Sequence, residues 1–201
     1  MFIMTHALVT AFEPYEEWSE NASWLTLVEL TKELPDNPKV TTRRYPVDFE
    51  VIQEKLTADL VEHDYDYAIH LGQAPGTACV RLEAIAVNVG CRPGGAASES
   101  RPLVLDGPVA YQSTLPLERW AAKLRENQIP AQVSFHAGTY LCNAALYHSL
   151  REIEKRGLRT QATFVHLPLE ISQACAATGD VPSMPATTAS QALRMILSEM
   201  D

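Results

Sequence analysis

Apolar and polar residues alternate along the chain in segments that predict strands and helices in turn. Short apolar, often β-branched runs predict buried strands at 7–12, 39–47, 65–72, 79–89, 131–135 and 162–168. Apolar positions that recur at helical spacing predict helices over 22–34, 49–60, 117–127, 142–156 and 186–200. Because the two kinds of segment follow one another from end to end, the pattern favours helices on both faces of a mostly parallel sheet.

One of these helices shows the pattern in detail. Asp48 is a residue type that caps the N-terminus of a helix. The apolar residues that follow it recur at spacings that place them on one helical face; they are Phe49, Ile52, Leu56 and Leu60. The sequence therefore predicts a helix that begins directly after Asp48 and buries this face.

The pattern of loops, without any linker, predicts how many domains the chain forms. Residues 90–116 are rich in glycine and proline, and a loop of this length inside a compact domain tends to be functional or mobile. A polar loop is predicted before the last helix. Since the chain has no repeat, low-complexity tract or obvious linker, residues 1–201 are predicted to form a single domain. The fold class is α/β, a three-layer α/β/α sandwich with a mostly parallel, mixed central sheet.

Composition narrows the class of protein. The 201 residues include 46% hydrophobic and 20% charged side chains and carry a formal net charge of −9, so a nucleic-acid partner is not expected. No apolar stretch reaches the roughly 18–20 residues of a membrane span, and the N-terminus does not resemble a signal peptide. The four cysteines form no CxxC pair, which favours a cytoplasmic protein with reduced thiols.

Three residues carry candidate chemistry. Cys142 is predicted at the start of a helix, where the positive end of the helix dipole stabilises a thiolate. His166 ends one predicted strand, and Glu83 lies in another among apolar neighbours. Together they would supply a nucleophile, a base and an acid that orients the base. Residue type alone leaves alternatives open: a packed thiol, a histidine hydrogen-bonded at a strand end, and a glutamate paired with Arg81 or Arg92.

Six sequence blocks resemble one family. In chain order they are VTAFEPY (9–15), LGQAPG (71–76), RLEAIAVN (81–88), DGPVAYQSTLP (106–116), AGTYLCN (137–143) and FVHLP (164–168). Together they resemble the pyroglutamyl peptidase I family of cysteine peptidases, which shows TGFEPF, GQAGGR, E-R-V-A-x-N, DGPAAYxSTLP, AGTxxCN and FVHVP. The resemblance covers nearly the whole chain, and its cysteine and histidine blocks are the most distinctive.

The resemblance implies a catalytic site and a reaction. Block by block, Cys142 corresponds to the family's nucleophile, His166 to its general base and Glu83 to its acid. The implied activity is the hydrolytic removal of an N-terminal pyroglutamyl residue from peptides through a thioester intermediate, with no metal or cofactor. Two alternatives stay open, a diverged homologue that acts as a binding or assembly protein and a hydrolase of another small cyclic amide.

The resemblance also implies a substrate pocket. Phe12 and Tyr15 correspond to aromatic residues that line the family's pocket, and Gln73 corresponds to a residue at the polar edge of the lactam ring. Tyr140 and Leu141, beside the nucleophile, are expected to complete the wall. From the residues alone, ordinary core packing remains the alternative for Phe12 and Tyr15.

Other matches are less complete. Arg92 is the nearest counterpart of an arginine that the family places after its glutamate strand, and it is a possible oxyanion-stabilising residue beside the backbone N–H of Cys142. Its spacing from Glu83 differs from that of the family. Glu16 and Glu17 replace a glycine pair of the family. These two acids are expected to reshape the pocket mouth or to disfavour acidic peptides.

Further expectations concern assembly and support. Because the family commonly forms homotetramers, the resemblance implies a homo-oligomer, a dimer or tetramer, with pyroglutamyl peptides as its other partners. Asn88 and Asn143 lie in matched blocks and are expected to brace the backbone of the site. His70, on a buried strand, is expected to be a hydrogen-bonded core residue, and His136 to lie in a solvent-facing loop.

Overall fold

The computed structural model describes residues 4–200, which form an α/β fold. The strands are β1 His6–Phe12, β2 Lys39–Tyr45, β3 Tyr67–Gln73, β4 Val80–Glu83, β5 Ile85–Val87, β6 Ala110–Gln112, β7 Ala131–Ser134 and β8 Gln161–Leu167. The helices are α1 Ala22–Thr31, α2 Phe49–Glu62, α3 Leu117–Glu126, α4 Leu141–Arg156, α5 Ile171–Ala176 and α6 Ala186–Leu197. A single 3₁₀ turn covers Ala97–Glu99.

The main sheet has six strands in the order β2-β1-β3-β8-β4-β7. The pairs β1–β2, β1–β3, β3–β8 and β4–β7 are parallel, whereas β4 runs antiparallel to β8. The predicted mostly parallel, mixed sheet is therefore confirmed. The first three strands end at the same edge as β8, and β4 begins near that edge and runs away from it.

Alternation along the strands divides the core into two clusters. Ala7, Val9 and Ala11 of β1 belong to one cluster, while Leu8 and Phe12 belong to the other. The first cluster includes buried residues of α1, α3 and α6, and the second includes buried residues of α2 and α4. Because successive side chains of a strand point to opposite faces, the sheet is the middle layer of a three-layer sandwich.

Local signals fix the ends of several helices. The Asp48 side chain accepts hydrogen bonds from the backbone N–H groups of Glu50 and Val51, so the predicted cap of α2 is confirmed. At the C-terminus of α4, Gly157 adopts a left-handed conformation with φ of 61°. Glycine takes this conformation without strain, which ends the longest helix and turns the chain towards β8.

The prediction of one strand over 79–89 was wrong. The segment divides into β4 and β5 on either side of Ala84. Strand β4 belongs to the main sheet, whereas β5 pairs antiparallel with β6 in a separate two-stranded sheet. The partner of β5 comes from the predicted loop at 90–116, which is consequently not entirely loop. Pairing between distant segments, which local periodicity does not report, decides this division.

Two other boundaries differ from the prediction. The polar loop before the last helix contains α5, which is only six residues long, and α1 ends at Thr31 rather than at residue 34. A helix of under two turns is too short to show an apolar repeat. Among the helices of residues 4–200, none combines the length and apolar character that crossing a bilayer requires.

Candidate active site

Cys142 lies in the first turn of α4, whose N-cap is Tyr140. The first helical hydrogen bond at this end runs from the Ala144 N–H to the Tyr140 carbonyl oxygen, at 3.0 Å. The N–H groups of the residues before Ala144 have no carbonyl one turn back within the helix. Their positive partial charge favours an anionic sulfur on the half-buried Cys142.

His166 and Glu83 are joined across the two antiparallel strands of the sheet. Glu83 pairs in register with Phe164, two residues before His166, so both side chains lie on the same face as diagonal neighbours. The distance between His166 Nδ1 and Glu83 Oε1 is 2.8 Å, and both residues are buried. This pairing excludes the alternatives in which Glu83 binds Arg81 or Arg92. It also leaves Nε2 of the ring to face Cys142.

The charge of His166 follows from its two partners. Burial by itself lowers the pKa of His166, but the Cys142 thiolate and the hydrogen bond to it, followed by the Glu83 carboxylate, raise that pKa to about 9. At neutral pH the raised pKa keeps the ring charged, as an imidazolium between the Cys142 sulfur and the Glu83 carboxyl group. Glu83 Oε2 is buried and has no hydrogen-bond partner among residues 4–200, so Glu83 directs its hydrogen bonding to His166.

Gly72 allows the thiol and the imidazole to approach the sheet. It pairs in register with His166 across β3 and β8. A Cβ atom at this position would lie 2.5 Å from the Phe164 ring and 3.0 Å from Cys142 Sγ. Only glycine avoids these contacts, so the backbone of β3 forms one wall of the site. The sequence block that contains Gly72 was matched, but the role of this glycine was not predicted.

A small pocket opens beside Cys142. Five of its residues were predicted as pocket residues from the resemblance, and the structure brings all five to its lining; they are Phe12, Tyr15, Gln73, Tyr140 and Leu141. The pocket also includes Asn21, Val47 and Gly72, which the sequence did not single out. Aromatic and aliphatic walls of this kind suit a small uncharged ring.

The orientation of the Gln73 amide is fixed by its neighbours. Gln73 Oε1 accepts hydrogen bonds from the Ala22 N–H at 2.9 Å and from Gln173 Nε2 at 2.7 Å. Gln73 is buried, and its Nε2 lies near Tyr15 but has no partner of full hydrogen-bond geometry in the described part of the chain. The N–H groups of Nε2 therefore remain available as donors at the pocket.

Gln173 was missed by sequence reasoning. It lies in α5, where its side chain accepts a hydrogen bond from the backbone N–H of Glu170 and completes a capping box with it. The Glu-x-x-Gln spacing was the available signal. Its consequence for the pocket depends on the contact between Gln173 and Gln73, which lies a hundred residues away in sequence.

Tyr15 differs from the phenylalanine of the family by its hydroxyl group. Burial and then the neighbouring Cys142 sulfur raise the pKa of Tyr15, while the amide of Gln73 opposes the shift. Tyr15 consequently stays protonated at physiological pH. The next residue, Glu16, has a φ of 51°, a left-handed conformation that suits glycine far better than glutamate. The glycine pair of the family corresponds to this turn.

Arg92 lies apart from the pocket around Cys142. It is exposed and lines a neighbouring cavity with Asp48, Phe49 and Glu99. Its charge still acts on Tyr140, whose pKa is raised mainly by burial and is lowered in part by Arg92. An oxyanion role for Arg92 stays a prediction.

Two asparagines brace the backbone around the site. Asn143, next to the thiol, accepts from the Val87 N–H at 2.8 Å and donates to the carbonyl oxygens of Val87 and Val89. Asn88 holds Val104 by hydrogen bonds to both its N–H and its carbonyl oxygen. Asn143 therefore braces backbone directly beside Cys142, whereas Asn88 braces the segment around Val104 and Gly107.

Two other histidines, His70 and His136, also lie where the sequence suggested. His70 is fully buried and makes hydrogen bonds of 2.8 Å with Thr10 Oγ1 and 2.7 Å with Ser149 Oγ. His136 is exposed, and its Nδ1 accepts a hydrogen bond from the Gly138 N–H in the turn before α4. Neither ring is part of the pocket around Cys142.

The fold and the site define a class. A thiol in the first turn of a helix, an imidazole and a buried carboxylate on an α/β/α sandwich form the arrangement of a cysteine hydrolase. Comparison with known proteins identifies the family. The family model described as pyroglutamyl peptidase matches residues 5–200. The chain belongs to the pyroglutamyl peptidase family.

Individual relatives agree with this assignment. The pyrrolidone-carboxylate peptidase of Thermococcus onnurineus is 36% identical over 197 residues, covering 94% of this chain and 96% of that protein. The protein of the same name from Pectobacterium carotovorum is 32% identical over 200 residues, covering 98% and 93%. The crystal structure of pyrrolidone carboxyl peptidase from Fervidobacterium islandicum AW-1 superposes with a TM-score of 0.91, at 32% identity and 97% coverage of both chains.

Proposed function

We propose that the chain removes an N-terminal pyroglutamyl residue from peptides, with Cys142 as nucleophile, His166 as acid and base, and Glu83 as the carboxylate that orients His166. The observation that carries the proposal is the buried 2.8 Å contact between His166 Nδ1 and Glu83 Oε1, beside a thiol that borders a small pocket. Membership of the family supplies the substrate class.

Acylation begins from the thiolate and imidazolium pair. The Cys142 sulfur attacks the acyl carbon that bears the lactam ring, and a tetrahedral intermediate forms. When the C–N bond of the scissile peptide breaks, the departing amine takes the proton of His166 Nε2. The acyl group is left on Cys142 as a thioester, and His166 is neutral.

Deacylation reverses the role of the histidine. Neutral His166 takes a proton from a water molecule while the water oxygen attacks the thioester carbon. The C–S bond then breaks, which releases pyroglutamate and restores the thiolate and the imidazolium. Glu83 keeps the proton on Nδ1 and stabilises the charged ring in both steps.

Recognition of the lactam rests on one polar group in an apolar pocket. Because Gln73 Oε1 is occupied by two donors, its Nε2 is the group that can donate to the lactam carbonyl oxygen. Proline has the same ring size without that carbonyl. Leaving a buried donor unpaired costs about 1–3 kcal/mol, so the pocket selects pyroglutamate over proline.

Stabilisation of the oxyanion is assigned to the start of α4. The backbone N–H of Cys142 belongs to the helix turn that has no internal acceptor, and it lies next to the attacking sulfur. A preorganised donor at this place is worth about 3–4 kcal/mol in comparable sites. Arg92 remains a second candidate for this role. Its positive charge lowers the pKa of Tyr140, which lines the pocket beside Cys142.

A fluorogenic pyroglutamyl amide tests the proposal. The wild type is expected to release the fluorophore, and Cys142→Ala is expected to abolish release, because the sulfur is the atom that bonds to substrate. Cys175→Ala is the matched control, since Cys175 is an exposed free cysteine. Equal release by wild type and Cys142→Ala would overturn the proposal, as would cleavage of the prolyl analogue in preference to the pyroglutamyl amide.

The proposal extends to organisation and location. We infer that residues 1–201 form one catalytic domain that assembles as a homodimer or homotetramer in the cytoplasm. Leu105 and Val109 support an oligomer because these apolar side chains are 87% and 84% exposed, and a subunit contact would remove them from water. The free cysteines 79, 91, 142 and 175 support a reducing compartment. Sedimentation velocity tests the assembly, and a monomer at micromolar concentration would contradict it.

A further inference from the structure

A second cavity lies beside the pocket around Cys142. It is an open cavity lined by the start of α2, the segment 90–103 and one residue of α4, His148. Its volume is about 690 Å³, within the range of about 300–1,000 Å³ that is usual for ligand sites. The catalytic steps described above use none of its lining residues apart from the oxyanion candidate Arg92.

The cavity and the pocket share a wall. Phe49 lines the cavity and Tyr140 lines the pocket, and their rings contact each other edge to face with centroids 5.2 Å apart. The backbone continues the connection, because the Cys91 N–H donates to the Thr139 carbonyl oxygen at 2.7 Å. A chain that leaves the pocket near Cys142 therefore has this cavity as its neighbour.

The cavity is lined by both positively and negatively charged side chains. Arg92 and Arg101 line the cavity, and neither forms an ion pair with another residue of the described chain. Asp48, Glu50 and Glu99 line it as well. Neither sign of charge dominates, so the lining suits a ligand with many hydrogen-bonding groups and little net charge. A peptide backbone has this character.

His148 adds a buried polar group to the cavity. His148 lines the cavity although the residue is only 3% exposed, and its ring nitrogens form no hydrogen bond with another group of residues 4–200. Burial, followed by the charge of Arg151, lowers the pKa of His148 to about 4. The neutral ring therefore has one N–H donor and one acceptor nitrogen. The ring nitrogens keep some contact with solvent at the cavity, so a ligand there can take the place of the water that hydrates them.

We propose that this cavity binds the residues that follow pyroglutamate in the substrate, and that His148 and Arg101 are hydrogen-bonding partners of that peptide segment. The inference rests on the proposed function. It makes the preferred substrates pyroglutamyl peptides with at least two further residues, rather than pyroglutamyl amides. Binding energy from this segment is available to position the scissile bond at Cys142.

A length series of substrates tests the inference. The probes are a pyroglutamyl anilide and C-terminally amidated peptides with one, two and three alanines after pyroglutamate. In the wild type, kcat/KM is expected to rise about tenfold between the one-alanine and three-alanine peptides. His148→Leu and Arg101→Gln are each expected to reduce this gain to about threefold or less, while both retain the wild-type rate on the anilide.

Matched controls and distinct outcomes keep the test decisive. His63→Leu and Arg119→Gln change the same residue types at exposed positions outside the cavity, and they are expected to keep the full gain. Cleavage of the anilide without any gain in the wild type would overturn the inference alone. So would a gain that survives in both cavity variants. Failure to cleave the anilide at all would instead overturn the proposed function, and the inference with it.

Discussion

The surroundings of His70 and His166 differ in one respect that decides their chemistry. Both rings are buried on neighbouring strands of the same sheet, and both lie near Phe164, at centroid distances of 6.5 and 4.8 Å. Burial lowers the pKa of His70 to about 4. The same desolvation acts on His166, yet the Cys142 thiolate and the Glu83 carboxylate raise its pKa to about 9.

The comparison shows that charged hydrogen-bonding partners change the pKa of a buried histidine more than burial does. His70 has two hydroxyl partners, Thr10 and Ser149, which satisfy a neutral ring and offer no charge. His166 has two anionic partners. One fold therefore keeps His70 neutral and His166, the proposed catalytic histidine, charged on adjacent strands, and each set of partners can be changed separately.

The largest expected effect comes from removing the carboxylate beside His166. Glu83→Gln is expected to lower kcat/KM by about 10²–10⁴-fold, because the amide neither holds the correct tautomer nor stabilises the charged ring. Steady-state assay of the fluorogenic amide measures it. Glu83→Asp, which keeps the charge, is expected to recover part of the loss. Full activity of Glu83→Gln would contradict the assigned role.

A smaller loss of activity is expected from a change at Gly72, which follows His70 on β3 and pairs with His166 on β8. Gly72→Ala places a Cβ against the Phe164 ring and Cys142 Sγ, and overpacking of this kind costs about 1–3 kcal/mol. We expect a lower free energy of unfolding together with reduced kcat, since the displaced groups belong to the site. Urea unfolding and kinetics of the same preparation give both values. Wild-type values for both would show that β3 has room at this position.

A change confined to the His70 side sharpens the contrast. Ser149→Ala leaves one ring nitrogen of His70 buried without its partner and is expected to cost about 1–3 kcal/mol of stability. Its kcat/KM is expected to stay within about threefold of wild type, which is less than about 0.7 kcal/mol. Ser198→Ala, at an exposed serine at the end of α6, is the control. A loss of activity larger than the loss of stability would contradict the separation of the two regions.

The two histidines also predict opposite slopes of stability with pH. The folded pKa of His166, about 9, exceeds the ordinary value of 6.5. Its stabilisation is therefore complete below about pH 6.5 and is lost as pH rises to about 9. His70, with a pKa of about 4, is protonated only in the unfolded state between pH 6.5 and 4, so stability falls as pH falls. His148 acts in the same direction.

Urea unfolding midpoints across this pH range check both slopes. Cys142→Ala removes the anionic sulfur and is expected to flatten the alkaline slope while leaving the acidic slope unchanged. A variant that flattens both slopes, or neither, would contradict the assignment of the alkaline slope to the pair of Cys142 and His166.

Much of the fold could be predicted because its signals are local. The cap at Asp48, the strand over 7–12 and the helix that carries Cys142 all follow from short patterns. The division of 79–89 at Ala84 could not be predicted, since it depends on pairing with a strand more than twenty residues later. Helix α5 is too short to show a period.

The candidate site divides in the same way. Cys142, His166 and Glu83 were nominated from residue type and sequence blocks, and the 2.8 Å contact between His166 and Glu83 agrees with that nomination. The roles of Gly72 and Gln173 depend on atoms that only the folded chain brings together. The spacing between Glu83 and Arg92 differs from that of the family, and in the structure Arg92 lines a neighbouring cavity.

Titration of the imidazole nitrogens by NMR, in protein labelled at histidine, tests the account most directly. We predict that His166 is protonated at pH 7 and loses its proton near pH 9, that this value falls in Cys142→Ala, and that His70 stays neutral down to about pH 4. Titration of both rings near the ordinary histidine value, with no response of His166 to loss of the sulfur, would contradict it.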